Sequence, residues 1–221
     1  SVATSGPLLE DLLAITHRAE LIPNGVNLAK ATGIADSGQT SRDNSRFTVV
    51  FAGAFGEWVD FGLVLGAAES CEWARFVLIG DGPQWKRVNE LAAGLGNVEL
   101  TGALSHEEVF QHLAVADICL VPFAVNDLTD RVCPVKLFEY WSAGRPVIGT
   151  PCRELKRLAE ISPEALQLAA DSGKTVELLE KYHREPLLLA ASSQVAREAA
   201  RNYDWKRLGN QILDILLPGK E

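Results

Sequence analysis

Lys136 and Glu139 stand three residues apart in the stretch PVKLFEYWSAGRPVI, which covers residues 134–148. Pro134 suits the first turn of a helix because it has no N–H to leave unpaired, and Gly144 suits the left-handed cap that ends one. The stretch therefore predicts a helix over about 135–143 with Lys136 in its first turn. A spacing of three places both side chains on one helix face, with Glu139 one turn further along.

The amino end of this predicted helix has the chemistry of an anion site. Its unpaired N–H groups and partial positive charge attract anions, and Lys136 adds a full positive charge. Glu139 would repel a phosphate, but its two oxygens can accept hydrogen bonds from the hydroxyls of a vicinal diol. A ribose joined to a diphosphate offers both groups, so the stretch predicts a nucleoside diphosphate site. An ordinary surface helix with a solvated Lys136–Glu139 pair is the alternative that this stretch alone leaves open.

The rest of the chain alternates apolar, β-branched segments with segments of helical periodicity. This alternation predicts an α/β fold, a Rossmann-like parallel sheet flanked by helices on both faces. Ligands of such sheets lie beyond the carboxyl ends of the strands. The chain after residue 186 is predicted to be wholly helical, and Ser105 with Glu108 predicts a capping box. The predicted strands lie at 47–55, 74–82, 97–102, 116–123, 145–150 and 165–171, and the helices between them at 62–71, 84–95 and 105–116.

Composition narrows the class of protein. The 221 residues are 47% hydrophobic, and the net charge of −8 without a basic run argues against nucleic acid as a partner. No transmembrane segment or signal peptide is predicted, so we expect a cytoplasmic protein. The four cysteines form no CxxC pair and therefore predict free thiols rather than a metal site or disulfides.

Several motifs occur in a fixed order along the chain. PVKLFEYWSAGRPVIGT follows IPNGVN, VLIGDGP, NVELTG and ADICLVPF. This set resembles the C-terminal half of glycosyltransferases with the two-domain GT-B fold, family 4 in particular, over nearly the whole chain. GAFGEWVDFGLV and PFAVNDLTDRVCPVKLFEYWSAG are most similar to a bacterial subgroup that builds capsular, teichuronic or other surface polysaccharides. The resemblance implies transfer of a sugar from a UDP- or GDP-linked donor to an acceptor hydroxyl, with retention of configuration and without a metal or other cofactor.

The resemblance also implies roles for individual residues. The glutamate that matches Glu139 binds the ribose hydroxyls, and the lysine that matches Lys136 contacts the diphosphate, so these two are the expected catalytic residues. Gly53 is expected to bring the backbone close to the diphosphate, and residues 101–104 to border the base. The residues expected at the nucleotide are Gly53, Gly80, Thr101, Gly102, Pro134, Val135, Lys136, Leu137 and Glu139.

Some positions depart from the family pattern. Many family 4 enzymes have a second glutamate eight residues before the first, where this chain has Arg131. Arg131 is a candidate phosphate partner, and the neighbouring candidates for hydroxyls of the donor sugar are Asn126, Asp127, Thr129 and Asp130. The missing glutamate leaves two alternatives open: a non-catalytic nucleotide or sugar-phosphate-binding module, and a UDP-sugar epimerase of the GT-B fold. His106 and His112 are predicted to be surface or capping residues.

The resemblance divides the chain into four parts. Residues 1–30 are expected to be the tail of an N-terminal acceptor domain outside this chain, and 31–46 a linker. Residues 47–186 form the expected nucleotide-sugar-binding domain, followed by C-terminal helices at 187–221. The missing domain would bind a saccharide or lipid-linked acceptor, with peripheral association at the inner face of a membrane as an option. By itself this chain is expected to bind UDP or GDP weakly and to transfer nothing.

Overall fold

The computed structural model describes residues 1–29 and 46–217. Its main sheet has six parallel strands, and each lies within a segment that the sequence predicted. The α/β parallel-sheet prediction is therefore confirmed, although the strands are shorter than the apolar segments. They are β3 (Phe47–Ala52), β4 (Ala74–Ile79), β5 (Val98–Gly102), β6 (Ile118–Val121), β7 (Val147–Gly149) and β8 (Leu166–Leu168). Two short parallel strands that the sequence did not predict, β1 (Val2–Ala3) and β2 (Glu20–Leu21), form a separate pair.

The order of strands in the sheet is β5-β4-β3-β6-β7-β8. Successive strands are added on one side of β3 as far as β5, and then on its other side from β6 onward. This reversal makes the carboxyl ends of β3 and β6 the topological switch point, where the loops diverge to opposite faces and leave a crevice. The fold therefore points to this edge of the sheet, between β3 and β6, as the place for a ligand.

Helices cover both faces of the sheet. The predicted helices are present, and polar caps start several of them: Ser5, Asp60, Asp171 and Asp204 each accept a first-turn N–H, and the Ser105–Glu108 capping box is confirmed. Within the described ranges the helices are α1 (Gly6–Leu13), α2 (Phe61–Ser70), α3 (Trp85–Ala92), α4 (His106–Val115), α5 (Val135–Ser142), α6 (Arg153–Ile161), α7 (Ser172–Arg184), α8 (Pro186–Ala200) and α9 (Trp205–Leu216).

The core consists of two apolar layers, one on each face of the sheet. Alternate residues of β3 face opposite layers, with Val50 in one and Val49 and Phe51 in the other. Helices α4, α5, α6 and α8 contribute to the first layer, and α2, α3 and α7 to the second. This burial on both faces explains why every residue of β3 is buried.

The N-terminal segment, residues 1–29, packs against the body of the chain. The hydroxyl of Ser5 donates to Arg131 O, and the Asn24 side chain donates to Cys133 O at 2.8 Å. Val26 also exchanges backbone hydrogen bonds with Tyr203 and Trp205 near the C-terminal end. The segment thus supports the backbone that leads into α5.

The structure tests the predicted C-terminal helices but not the predicted linker or the division into four parts. The chain after residue 186 is helical up to Leu216, as predicted, with a 3₁₀ turn at Arg201–Tyr203. The predicted linker at 31–46 lies outside the described residues except for residue 46. The division into 1–30, 31–46, 47–186 and 187–221 stays a prediction. No helix in the described parts has the length and apolar character needed to span a membrane.

Candidate functional site

Helix α5 stands at the crevice beside the switch point. It follows the loop after β6, begins at Val135 with Pro134 as N-cap, and has no side chain capping its amino end. Its C-terminus is closed by Gly144, whose φ of 70° is the left-handed conformation that the sequence predicted. Val135 is 44% exposed, whereas Pro134 and Leu137 are buried. Leu137 N–H donates to Pro134 O, so the N–H groups of Val135 and Lys136 remain for a ligand in the crevice.

The ammonium of Lys136 lies close to the carboxyl end of β3. Its Nζ is 4.4 Å from the centroid of the Phe51 ring and 5.9 Å from that of Phe123, a cation–π arrangement. Nζ also lies directly beside Gly53, where a Cβ would clash with it. Among the described residues no carboxylate forms a salt bridge with this ammonium. Its three N–H donors are thus available to an anion at the crevice.

Burial lowers the pKa of Lys136 from 10.5 to about 8, and the charge of Glu139 partly offsets this shift. Loss of water around the ammonium disfavours its charged form, whereas a nearby negative charge favours it. A diphosphate beside Nζ would therefore restore the protonated form. Anion binding at this position would therefore be coupled to the protonation of Lys136.

Glu139 lies one helical turn after Lys136, and its side chain is 25% exposed. One carboxylate oxygen, Oε1, accepts a hydrogen bond from Nε2 of His106 at 3.2 Å. His106 is an exposed residue at the capped start of α4, as predicted, and in addition its ring reaches across to α5. The sequence contained one signal for this contact, because both helices begin at the carboxyl edge of the sheet. His112, six residues later, makes no contact with Glu139, and burial lowers its pKa.

Three glycines shape the backbone at this edge. Gly53 N–H donates to Ile79 O and Gly80 N–H donates to Gly102 O, which joins the loops after β3, β4 and β5. Gly53, Gly80 and Gly102 have φ values of 153°, 137° and 76°. A Cβ on Gly80 would also clash with Gly53 O. The three predicted glycines therefore lie together. Gly53 and Gly80 have no room for a Cβ, whereas Gly102 is favoured by its positive φ alone.

Thr101 lies at the end of β5, beside these glycines. It is half-buried, and its hydroxyl donates to Gly102 O at 2.9 Å. Leu104, two residues past Gly102, packs against the apolar layer that contains Leu137 and Phe138. The segment predicted to border the base thus reaches the same layer as α5, and that role stays a prediction.

Tyr140 attaches α5 to β3, a contact that sequence reasoning missed. Its buried hydroxyl accepts from Ala52 N–H at 2.8 Å and donates to Ala52 O at 3.1 Å. Ala52 immediately precedes Gly53, so this pair of bonds sets the distance between the helix and the glycine loop. Complete burial raises the pKa of Tyr140 well above its usual value.

The candidate donor-sugar residues form an internally bonded loop. Asn126 Oδ1 accepts from the N–H groups of Leu128 and Thr129, and the buried Thr129 hydroxyl donates to Ala124 O. Asp130 Oδ1 accepts from Arg153 N–H at the start of α6. In this arrangement Asn126, Thr129 and Asp130 maintain the loop backbone.

Arg131 belongs to the same loop, and its side chain contacts both α1 and the backbone of Asp127. Arg131 Nε donates to Asp11 Oδ2 at 2.8 Å, and its Nη1 donates to Asp127 O at 2.6 Å. The bond to Asp11 raises the pKa of Arg131. The guanidinium is therefore paired with a carboxylate of α1 instead of standing free for a phosphate. A role for Arg131 at the donor would require this pair to open.

The cysteines and acidic residues show no metal-binding arrangement. Within 1–29 and 46–217, no three His, Cys, Asp or Glu side chains are grouped so that they could hold a metal ion. All four cysteines are buried free thiols, as their spacing predicted. Burial raises the pKa values of the Cys71 and Cys133 thiols to about 11 and about 12.

Comparison with known proteins supplies the family context. A sequence model of the family described as "Glycosyl transferases group 1" matches residues 46–184. A Bacillus subtilis protein, TuaH, provisionally named a teichuronic acid biosynthesis glycosyltransferase, is 28% identical over 211 residues. That alignment covers 91% of this chain and 51% of TuaH, so the chain spans about half the length of this curated relative.

Solved structures share the fold. Sucrose-phosphate synthase from Thermosynechococcus elongatus superposes with a TM-score of 0.79 at 20% identity, over 97% of this chain and 57% of that protein. Anabaena HepE in complex with UDP and glucose also gives a TM-score of 0.79, at 16% identity, over 99% of this chain and 62% of HepE. At these identities the likeness establishes the fold alone.

Proposed function

Because this chain belongs to the group 1 glycosyl transferases and has the Rossmann-like fold of one half of a GT-B enzyme, we propose that it is the donor-binding half of a glycosyltransferase. The complete enzyme would move a sugar from a nucleoside diphosphate sugar to an acceptor hydroxyl. The acceptor, a saccharide or a lipid-linked saccharide, would be held by a part of the protein outside this chain.

One observation carries the proposal: a lysine that has no carboxylate partner among the described residues and a glutamate lie one turn apart at the topological switch point. Lys136 Nζ lies beside Gly53 and over the Phe51 ring, and Glu139 follows on the same helix face. A diphosphate at the first turn would receive the Lys136 ammonium and the free N–H groups of α5. The ribose would then lie beside Glu139, whose carboxylate accepts from its hydroxyls.

These groups would favour the reaction through the charge of the leaving group. The acceptor oxygen forms a bond to the anomeric carbon while the bond from that carbon to the diphosphate oxygen breaks. Its electron pair goes to the departing diphosphate, and the acceptor proton moves to the departing oxygen. Negative charge on that diphosphate is larger in the transition state than in the donor, so Lys136 and the end of α5 stabilise the transition state more. Attack on the face that the leaving group vacates would retain the anomeric configuration.

The relatives suggest a substrate class. TuaH carries a name from teichuronic acid biosynthesis, and the HepE structure contains UDP and glucose. We therefore propose a UDP-sugar as the first donor to test and a surface polysaccharide as the product, with a GDP-sugar as the second donor.

Calorimetric titration of this chain with UDP and GDP tests the proposed site. Lys136→Met removes the charge, and we expect it to weaken binding about tenfold to 100-fold, the size of a charge-assisted hydrogen bond. Glu139→Gln should weaken binding about tenfold, because an amide offers only one acceptor oxygen to the two hydroxyls. Lys181→Met, at the far end of α7, is the matched control and should bind like the unchanged chain. Equal affinities for all four proteins would refute the site.

Turnover by the complete protein separates the proposed transferase from the two alternatives, a binding module and an epimerase. A transferase with Glu139→Gln should lose sugar transfer to an added acceptor, whereas a non-catalytic binding module would show no transfer with or without the substitution. A UDP-sugar epimerase would release a free sugar product without any acceptor. Arg131 keeps both alternatives relevant, because it stands where the resemblance led us to expect a glutamate.

A further inference from the structure

The contact between His106 and Glu139 joins helix α4 to helix α5, which carries the proposed nucleotide site. His106 is the first residue of α4 and follows the loop after β5, and Glu139 lies in α5. Their contact, Nε2 to Oε1 at 3.2 Å, is made across 33 residues of sequence. A carboxylate only accepts hydrogen bonds, so Nε2 must carry the proton in this contact.

The histidine ring is held from two directions. The capping box of Ser105 and Glu108 sets the first turn of α4, and the ring centroid of His106 is 4.8 Å from that of Phe110. Phe110 is itself buried in the same apolar layer as Leu137 and Phe138 of α5. The Nε2–H group is therefore aimed at Glu139 by packing and by a helix cap, although the histidine side chain is 47% exposed.

A carboxylate without such a donor turns easily about its last side-chain bond, because that torsion has a broad minimum. The bond to Oε1 restricts this rotation and leaves Oε2 and the second lone pair of Oε1 for other donors. Resting on the proposed function, we infer that His106 is a positioning residue: it orients the Glu139 carboxylate toward the ribose hydroxyls and so sets the preference for a ribonucleotide over a 2′-deoxyribonucleotide.

The test compares the affinity of UDP with that of 2′-deoxy-UDP, because a general loss of folding or of diphosphate binding cancels in this ratio. His106→Leu keeps an apolar side chain against Phe110 and removes the donor. His106→Gln keeps an N–H near the position of Nε2. We expect His106→Leu to reduce the UDP preference about three- to tenfold, the size of one hydrogen bond, and His106→Gln to retain it within about twofold.

Two further variants make the outcome decisive. His112→Leu, on the same helix but away from Glu139, should leave the ratio unchanged. Glu139→Gln should reduce the ratio at least as much as His106→Leu. If Glu139→Gln reduces the preference and His106→Leu does not, the positioning role is refuted while the nucleotide site stands. If Glu139→Gln leaves the ratio unchanged as well, both the positioning role and the assignment of Glu139 to the ribose are refuted.

Discussion

Lys136 carries a basic group in a buried position, and burial opposes its positive charge. Its ammonium lies among aromatic rings and a glycine, and this burial lowers its pKa to about 8. Burying a charge without a charged partner costs free energy, so an anion that binds beside this ammonium offsets part of that cost. The proposed diphosphate would do so, because an anion at close range favours the protonated amine.

This pKa predicts how UDP affinity depends on pH. A bound diphosphate raises the pKa of Lys136 above the value of about 8 in the free chain, so binding takes up a proton as the pH passes that value. Affinity should be full below pH 8 and should fall above it by at most about tenfold per pH unit. Calorimetry from pH 7 to 9.5 on the unchanged chain and on Lys136→Met would measure the slope.

In the Lys136→Met variant the slope above pH 8 should disappear, whereas Lys181→Met should keep it. An identical slope in Lys136→Met would assign the proton uptake to another group and contradict this prediction.

Tyr140, also in α5, attaches this helix to β3 through its hydroxyl oxygen alone. Tyr140→Phe removes the hydroxyl and leaves both Ala52 N–H and Ala52 O without their partner in a buried place. We expect the free energy of unfolding to fall by about 1–3 kcal/mol, the cost of unsatisfied buried polar groups. Urea unfolding measures this change. Tyr182→Phe is the control, because the Tyr182 hydroxyl has only a 3.5 Å contact with Ser192; similar losses in both variants would mean that the Ala52 bonds contribute little.

The glycine loops after β3, β4 and β5 act together as one element of the site. Gly53 allows the Lys136 ammonium to lie against the backbone, and Gly80 allows the Gly53 carbonyl to approach the next loop. The size of a single methyl group is therefore critical at these positions, which is unusual for surface loops.

Gly53→Ala tests this arrangement. The new Cβ would collide with Lys136 Nζ, and a φ of 153° is strained for alanine. We expect UDP affinity to fall at least about tenfold because the ammonium is displaced, with a loss of about 1–3 kcal/mol of stability from the backbone strain. Gly94→Ala is the control, since a Cβ there meets no atom within 4 Å. Calorimetry and thermal unfolding separate the two effects; unchanged affinity in Gly53→Ala would show that the ammonium does not need this position.

The loop that carries Arg131 is held largely by side-chain hydrogen bonds, whereas backbone hydrogen bonds join the glycine loops. Its side chains bond mainly to the loop itself, to α1 or to α6. Ser5 and Asn24 of the N-terminal segment hold the backbone of Arg131 and Cys133 from behind. Residues 1–29 therefore help to position the amino end of α5.

For the molecule as a whole, the proposed function would place only the donor side of the reaction in this chain. The chain covers about half of its curated relative and 57% of the sucrose-phosphate synthase structure. The candidate site lies at one edge of the sheet, and the described residues contain no second sheet of comparable size.

We therefore expect this chain alone to bind UDP or GDP and to transfer no sugar. A transfer assay with a UDP-sugar and a polysaccharide acceptor, run on the chain and on the complete protein, measures both. Nucleotide binding by the chain is the internal control for folding. Measurable transfer by the 221 residues alone would contradict the proposal that the acceptor is held elsewhere.

The sequence by itself determined the local elements and the chemistry of one helix. Pro134 marks the start of α5 and Gly144 its end, because proline and glycine have backbone preferences that act within a few residues. The spacing of Lys136 and Glu139 places both side chains on one face of this helix. The apolar strands and the capping box at Ser105 are local in the same sense. Strands of two residues, such as β1 and β2, are too short to leave a periodic pattern.

Only the tertiary structure decided which distant elements meet. The order of strands beside β3 depends on packing free energy summed over the whole sheet, and no local pattern records it. That order places Gly53 beside Lys136, Ala52 against Tyr140 across 88 residues, and His106 against Glu139 across 33. The fold also pairs Arg131 with Asp11, so a guanidinium whose partner lies far away in the sequence forms a salt bridge in the structure.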